Sequence, residues 1–488
     1  MEVIKLNVVN PKDSISTLGF TNDQSNAYEH LIKFINSDYD EEDYKRALIG
    51  PAGTGKTYLV KALIKNCNLS FSTIGLAAPT HKACRVLHES INLSNITVNT
   101  LQSDLGLRLN FDIEKFDINN PPFDPKGKIK INGYKIYIVD ESSMINRGLC
   151  TFLEKVCKTN KCKILYIGDD AQLAPVGEYY SPALRGVESY RLNEIVRQEE
   201  DNPVRPLLEI LRKDIRNKTY NFLNHIARNK EQFDESYIKG YKVCGANEFQ
   251  QIMYRNFSDD ALTKNVDYAK VIAFTNLAVS SWNKYIRGLI IKDADKSVLT
   301  KHDLIISYAT LVNQFNEPII KNSEDYIIND IVNYVHPQYG FKGFMVKFTA
   351  IHGGHTSQPL FIIDHTDQVS IMKYVEMSKS LINDAKTCNV KLRPQKWKDF
   401  YQFKEGVLLL TNIIDRMGNS IAGRSLDYGF ALTSHKSQGS TFDTVFVDVN
   451  DIVFDKHGRP YRNAEEVNRR LYVACSRCRN KLYLRYGS

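Results

Sequence analysis

Arg46-Ala47-Leu48-Ile49 runs into Gly50-Pro51-Ala52-Gly53-Thr54-Gly55-Lys56-Thr57, and a stretch with Leu59, Leu63 and Ile64 on one helical face follows. A short apolar strand, a glycine-rich loop ending in Gly-Lys-Thr, and a helix is the strand–loop–helix context that a phosphate-binding loop requires. The glycines let backbone N–H groups approach phosphate oxygens unobstructed, and the helix N-terminus adds partial positive charge. Lys56 is placed to reach β- and γ-phosphates, and Thr57 to hold Mg²⁺. Such a loop needs a metal carboxylate at the end of a neighbouring strand. Lys135-Ile136-Tyr137-Ile138-Val139 followed by Asp140-Glu141 supplies one: Asp140 for the metal, Glu141 as general base on the attacking water. The competing reading of Asp140-Glu141 is a solvated acidic pair.

Thr73–Ala78 and Lys163–Ile167 read as further strands, with helix-like stretches between them. That alternation predicts an α/β fold with a doubly wound parallel sheet. Gly168-Asp169-Asp170-Ala171-Gln172 ends the last strand at the same edge, where the Gln172 amide can sense the γ-phosphate.

The rest of the composition sets bounds. A chain of 488 residues and 55.9 kDa exceeds one ordinary domain and predicts roughly three or four modules. With 43% hydrophobic and 25% charged residues it is not a disordered chain. The opening MEVIKLNVVNPKDS lacks the apolar core of an export signal, and no uncharged apolar run reaches membrane-spanning length. The expectation is a cytoplasmic protein with no membrane contact, and the nine scattered cysteines read as reduced thiols. A net charge of +8 permits a polyanionic partner without requiring one.

The order of segments resembles the superfamily 1 DNA helicases of the 5′→3′ branch, nearest to the phage Dda-type enzymes, with RecD-like helicases as cousins. Phe20-Thr21-Asn22-Asp23-Gln24 resembles the adenine-reading Q motif, Gly50–Thr57 motif I, Ala78-Pro79-Thr80-His81-Lys82-Ala83 motif Ia and Thr100–Leu107 motif Ib. Asp140–Met144 resembles motif II, Gly168–Val176 motif III, Leu192–Gln198 motif IV, Ala273–Asn276 motif IVa, Leu432–Thr441 motif V and Leu471–Arg477 motif VI. The likeness spans about residues 20 to 485. It departs at Gln102, where relatives often have His, at Ala174 for Pro, and at Cys475-Ser476 for Leu-Thr.

The resemblance implies two RecA-like lobes with ATP and Mg²⁺ between them. Lobe 1A would span residues 1–195 with a pin-like insert near 108–134. Lobe 2A would comprise 196–290 and 426–488, interrupted by an SH3-like/tower subdomain at 291–425. Gln24, Pro51 to Thr57 and Gly439 would contact nucleotide. Arg197 and Arg477 would neutralise charge developing on the γ-phosphate. Single-stranded DNA and fork junctions are the implied partners, contacted through Pro79, Thr80, His81, Thr100, Gln102, Thr275, Asn276, His435 and Lys436. A monomer is expected, with a single-strand-binding protein or a replisome component as further partner and a phage as source. His81 and His435 have a structural hydrogen-bonding role as the alternative.

Asn110–Phe123 is polar, turn-rich and aromatic, and relatives carry a strand-separating pin there; Phe111, Phe116 or Phe123 would stack on the junction base pair, or else anchor the hairpin. Phe344–Ile351 and Leu360–Asp364 read as strands around a Gly353-Gly354 turn, and Ser370–Cys388 as a helix. Trp397, Phe400, Tyr401 and Phe403 either stack on bases or pack against the insert. Cys475 and Cys478 lack a second pair at metal spacing, and motif VI accounts for them as strand-to-helix packing. Two other readings stay open: a translocase that displaces proteins without unwinding, and a RecD-like subunit of a larger complex.

Overall fold

The computed structural model describes residues 16–17, 19–107, 128–194, 202–258, 265–292, 294, 296–313, 318–414 and 420–487. The chain divides into two compact units, one running to residue 200 and the other from residue 201.

The first unit is built on a six-stranded parallel sheet. Its strand order is Val98–Thr100, Ile74–Ala78, Ile136–Val139, Lys163–Gly168, Lys45–Ile49, Ser189–Arg191. The central strands are continuous apolar runs, as strands covered on both faces must be. Helices Asn22–Asn36, Lys56–Asn66 and His81–Ile91 bury Leu31, Leu59, Leu63 and Leu87 against Leu48, Ile138 and Leu165. The register aligns the strand ends: Ile49 lies opposite Gly168, Ala77 opposite Val139, and Ala78 opposite Thr100. Five loops therefore leave one carboxyl edge, where open α/β sheets bind ligands. The helix Asn22–Asn36 is fixed at both ends. Thr21 and Gln24 form a capping box at its start. At its end the buried Lys163 donates to Phe34 O (2.6 Å) and Ile35 O (3.1 Å), although burial lowers its pKa to about 8.

The second unit holds a second six-stranded sheet, ordered Ala431–Thr433, Ala269–Ala273, Phe442–Asp448, Cys478–Arg485, Gly240–Cys244, Glu231–Phe233. All neighbours are parallel except the last pair. Helices Ala246–Phe257 and Asn276–Ile290 supply Phe249, Met253, Trp282 and Ile286 to its core. Between Ile290 and Ala431 lies an insert. Its five-stranded antiparallel sheet is ordered Leu360–Ile363, Lys342–Ala350, Asp325–Val335, Leu304–Ser307, Leu426–Tyr428. Helices Gln368–Thr387 and Arg393–Gly406 pack beside it. The name SH3-like rests on resemblance alone.

The insert shares one core with the lobe: Leu304, Tyr326 and Phe348 join Trp282, Ile286 and Phe446. Buried ion pairs reinforce that join. Arg287 meets Asp303 at 2.8 and 3.0 Å, and Lys270 meets Asp325 at 3.3 Å. Gly353 and Gly354 take left-handed φ of 88° and 63°, as the expected turn needs. Of the aromatic cluster, Phe403 is buried against Tyr374 at 5.1 Å, while Trp397 stacks on Tyr401 at 6.2 Å and stays half-buried. Helix Ala464–Ser476 runs into strand Cys478–Arg485, because Arg477 ends the helix and the buried run Leu482–Leu484 resumes as a sheet strand. Among the described residues no helix is long and apolar enough to cross a membrane.

Candidate nucleotide and nucleic-acid sites

The phosphate loop leaves the end of strand Lys45–Ile49 on the carboxyl edge. Gly50 has no room for a side chain, since a Cβ would sit 2.6 Å from Leu192 O and 2.9 Å from Thr54 Oγ1. Gly53 and Gly55 take left-handed φ of 86° and 77°. Gly55 caps the helix Lys56–Asn66 without a side-chain hydrogen bond, so no side chain competes for the first-turn N–H groups. Thr57 sits in that first turn. The loop is closed by its own side chains: Thr54 Oγ1 donates to Pro51 O at 2.9 Å, and Lys56 Nζ to Gly50 O and Pro51 O at 2.6 and 2.9 Å. A curled loop with glycines at its left-handed turns and an ammonium at its centre fits a polyphosphate. Ala52 is exposed on it. Gln24 braces it from the side, donating to Thr54 O at 2.9 Å while its oxygen accepts from Thr21 N at 3.1 Å. Both polar ends of the Gln24 amide are thus engaged within the lobe.

Asp140 and Glu141 follow strand Ile136–Val139, two strands away. Desolvation pushes the Asp140 carboxyl above the ordinary carboxylate range, and the Glu141 N–H (2.8 Å) and the nearby Lys56 charge oppose that rise. Glu141 has φ 50°, ψ 38°, a left-handed conformation that costs a non-glycine residue about 1–2 kcal/mol. The turn is held from below, because Ser181 Oγ lies 2.7 Å from both Ser142 O and Ile145 O and shares its one hydrogen between them. Gln172 is buried in the turn after Lys163–Gly168, the strand between the other two. Sequence reading thus meets one assembly here: loop, carboxylate pair and amide leave three successive strands. Arg197 lies outside the described residues, as do Phe111, Phe116 and Phe123.

The remaining first-unit candidates lie on the same edge. Pro79, Thr80 and His81 follow one strand, and Thr100 ends its neighbour. Thr80 and Thr100 are helix N-caps, accepting from Ala83 N at 3.2 Å and Ser103 N at 3.3 Å. Thr100 and Gln102 are buried, whereas Thr80 and His81 are half-buried.

In the second unit Arg477 is buried. It donates to Val473 O at 3.1 Å, Ser440 O at 3.2 Å and Ser476 Oγ at 2.8 Å, which joins motif VI to motif V. Gly439 turns motif V at φ 70°. Thr275 caps helix Asn276–Ile290 and donates to Asp451 Oδ1 at 2.7 Å; Asp451 Oδ2 also takes the N–H groups of Phe274 and Thr275. The Thr275 hydroxyl is therefore fully engaged as donor and acceptor. Burial and the Arg470 charge lower the His435 pKa to about 4, so its ring is neutral near pH 7. Lys436 Nζ reaches Asn322 Oδ1 at 2.6 Å and lies 4.4 Å from the centroid of Tyr308. Asn276 is exposed, and its oxygen accepts from Arg424 at 2.9 Å. Sequence reading did not find Asp451, Tyr308, Asn322 or Arg424.

Comparison with known proteins adds relatives to this geometry. Residues 20–230 match the model of an AAA domain, and residues 428–485 that of a UvrD-like helicase C-terminal domain. The chain is 26% identical to the ATP-dependent DNA helicase dda of Enterobacteria phage T4, over 95% of this chain and 98% of that one. It is 24% identical to the uncharacterized protein R530 of Acanthamoeba polyphaga mimivirus, over 95% and 99%. A shorter match, 30% identity over 32% of this chain and 20% of the relative, is to the ATP-dependent RecD2 DNA helicase of Deinococcus radiodurans. The two domain models fall in the order the motifs demand, and the chain is similar along nearly its whole length to a DNA helicase of phage T4.

Proposed function

We propose that the chain is an ATP-dependent DNA helicase that moves 5′→3′ along single-stranded DNA and opens duplex and fork junctions. The observation that carries this reading is the convergence of Gly50–Thr57, Asp140-Glu141 and Gln172 on one sheet edge. Bound ATP supplies the phosphoanhydride bond whose hydrolysis drives the motor. The Lys56 ammonium exchanges the Gly50 and Pro51 carbonyls for β- and γ-phosphate oxygens. Thr57 and Asp140 would hold Mg²⁺, whose charge would offset the desolvation that raises the Asp140 pKa. Glu141 accepts a proton from the attacking water. Gln172 orients that water, and Arg197 and Arg477 neutralise the developing charge.

The DNA track comprises Thr80 and His81 in the first unit and Asn276, His435 and Lys436 in the second. His435, neutral near pH 7, acts there by hydrogen bonding. Phage or viral DNA replication, recombination or repair is the setting, with a single-strand-binding protein or replisome component as partner. ATP turnover with and without oligo-dT and Mg²⁺ tests the reading. Turnover should need Mg²⁺ and rise with oligo-dT. Lys56→Ala should abolish it and keep oligo-dT binding. Near-wild-type turnover by Lys56→Ala would overturn the site.

A further inference from the structure

Asn276 opens the helix Asn276–Ile290 with its side chain exposed, and its amide oxygen faces Arg424 Nη2 at 2.9 Å. Arg424 comes from the segment that closes the insert, 148 residues away. The guanidinium has five donors and no acceptor. The amide can therefore meet it only through Oδ1, which turns the two Nδ2 hydrogens away from Arg424. Arg424 itself is fixed. Its side chain is 8% exposed, it pairs with the equally buried Asp427, and it donates to Tyr308 Oη at 2.9 Å. The Tyr308 ring carries two cations, Arg424 Cζ at 4.2 Å and Lys436 Nζ at 4.4 Å from its centroid. The ring quadrupole eases their mutual repulsion. Asn322 obeys the same logic: an ammonium has only donors, so its oxygen faces Lys436. Three residues of the insert, Tyr308, Asn322 and Arg424, thus dictate the orientation of two residues of the lobe.

We propose that Arg424 is a positioning residue that holds Asn276 as a hydrogen-bond donor to backbone phosphates of single-stranded DNA, so that the insert sets the second lobe's grip on the strand. The proposal rests on the reading of the chain as a single-stranded DNA motor. An amide locked with its donors outward, in one network with an ammonium, suits an anionic oxygen. Released, the same amide presents its acceptor half the time and repels phosphate. Contact with phosphate carries no base preference.

The test is fluorescence anisotropy of labelled oligo-dT and oligo-dA with the full chain. Asn276→Ala and Arg424→Gln should each weaken binding about tenfold, the worth of one hydrogen bond to a charged group, and equally for both oligonucleotides. The double variant should bind no worse than the weaker single, because Arg424 acts through Asn276. Arg424→Lys should bind nearly as wild type, since an ammonium also forces the oxygen inward. Losses that multiply in the double variant, wild-type binding by Asn276→Ala, or an Arg424→Lys variant as weak as Arg424→Gln would overturn the proposal. Arg424→Gln leaves Asp427 buried without its partner; if that variant fails to fold, Asn276→Asp takes its place. It keeps an oxygen for Arg424 and sets a second where the donors were. It should bind more weakly than Asn276→Ala, and equal or tighter binding overturns the proposal. A wild-type chain that binds neither oligonucleotide would instead overturn the functional reading beneath it.

Discussion

Glu141 joins chemistry to strain, so the two can be separated by substitution. Its φ of 50° and ψ of 38° are left-handed. Replacing Glu141 by Ala or by Gly removes the carboxylate and every side-chain contact alike. Only the alanine must still bear the left-handed backbone, at about 1–2 kcal/mol. Glycine returns about 0.5–1 kcal/mol of that through its freer unfolded chain. Glu141→Gly should therefore be more stable than Glu141→Ala by about 1 kcal/mol, or about 2–4 °C in unfolding midpoint for a unit of this size. The same pair at Glu154, within helix Arg147–Thr159, should order the other way by about 1 kcal/mol. Scanning calorimetry measures both differences. Both Glu141 variants should lose ATP turnover by about 10²–10⁴ for want of the general base. The reasoning fails if alanine at 141 matches or exceeds glycine in stability, or if either variant turns ATP over near the wild-type rate.

Other outcomes follow from the same structure. Gly50→Ala drives a Cβ to 2.6 Å from Leu192 O, and should raise the KM for ATP or abolish turnover, as steady-state kinetics will read. Burial raises the Asp104 pKa from 3.8 to about 6, against the pull of Tyr137 Oη at 2.9 Å. The folded state thus holds that proton more tightly, so this contribution is present below pH 3.8 and is lost as pH rises through 6. Asp104→Asn, which keeps an oxygen for Tyr137, should therefore stabilise the chain at pH 8 by up to about 3 kcal/mol and by nothing near pH 4. Unfolding midpoints at the two pH values measure this, and an equal gain at both would refute it.

Legibility in the sequence followed distance along the chain. The phosphate loop, Asp140-Glu141 and Gln172 each stand at the end of a short apolar run, so a local pattern suffices to place them on one edge. The resemblance makes Thr80, Thr100 and Thr275 DNA contacts, and each also caps a helix. A threonine between a strand and a helix is itself an N-cap signal, which accounts for the acceptor side of each hydroxyl. Asp451 meets Thr275 from 176 residues away, and Arg424 meets Asn276 from 148. No periodicity spans such intervals, and only the closed sheet brings them together. The left-handed Glu141 was likewise invisible, because nothing in Val-Asp-Glu-Ser favours a positive φ.

The measurement that tests the account most directly is unwinding of partial duplex DNA carrying either a 5′ or a 3′ single-stranded tail, with ATP and Mg²⁺ supplied or withheld. Strand separation is expected of the 5′-tailed substrate alone, dependent on both ATP and Mg²⁺, and lost in Lys56→Ala. Separation only from the 3′ tail would contradict the direction of movement, and ATP turnover stimulated by single strands with neither substrate opened would contradict the helicase reading in favour of a non-unwinding translocase.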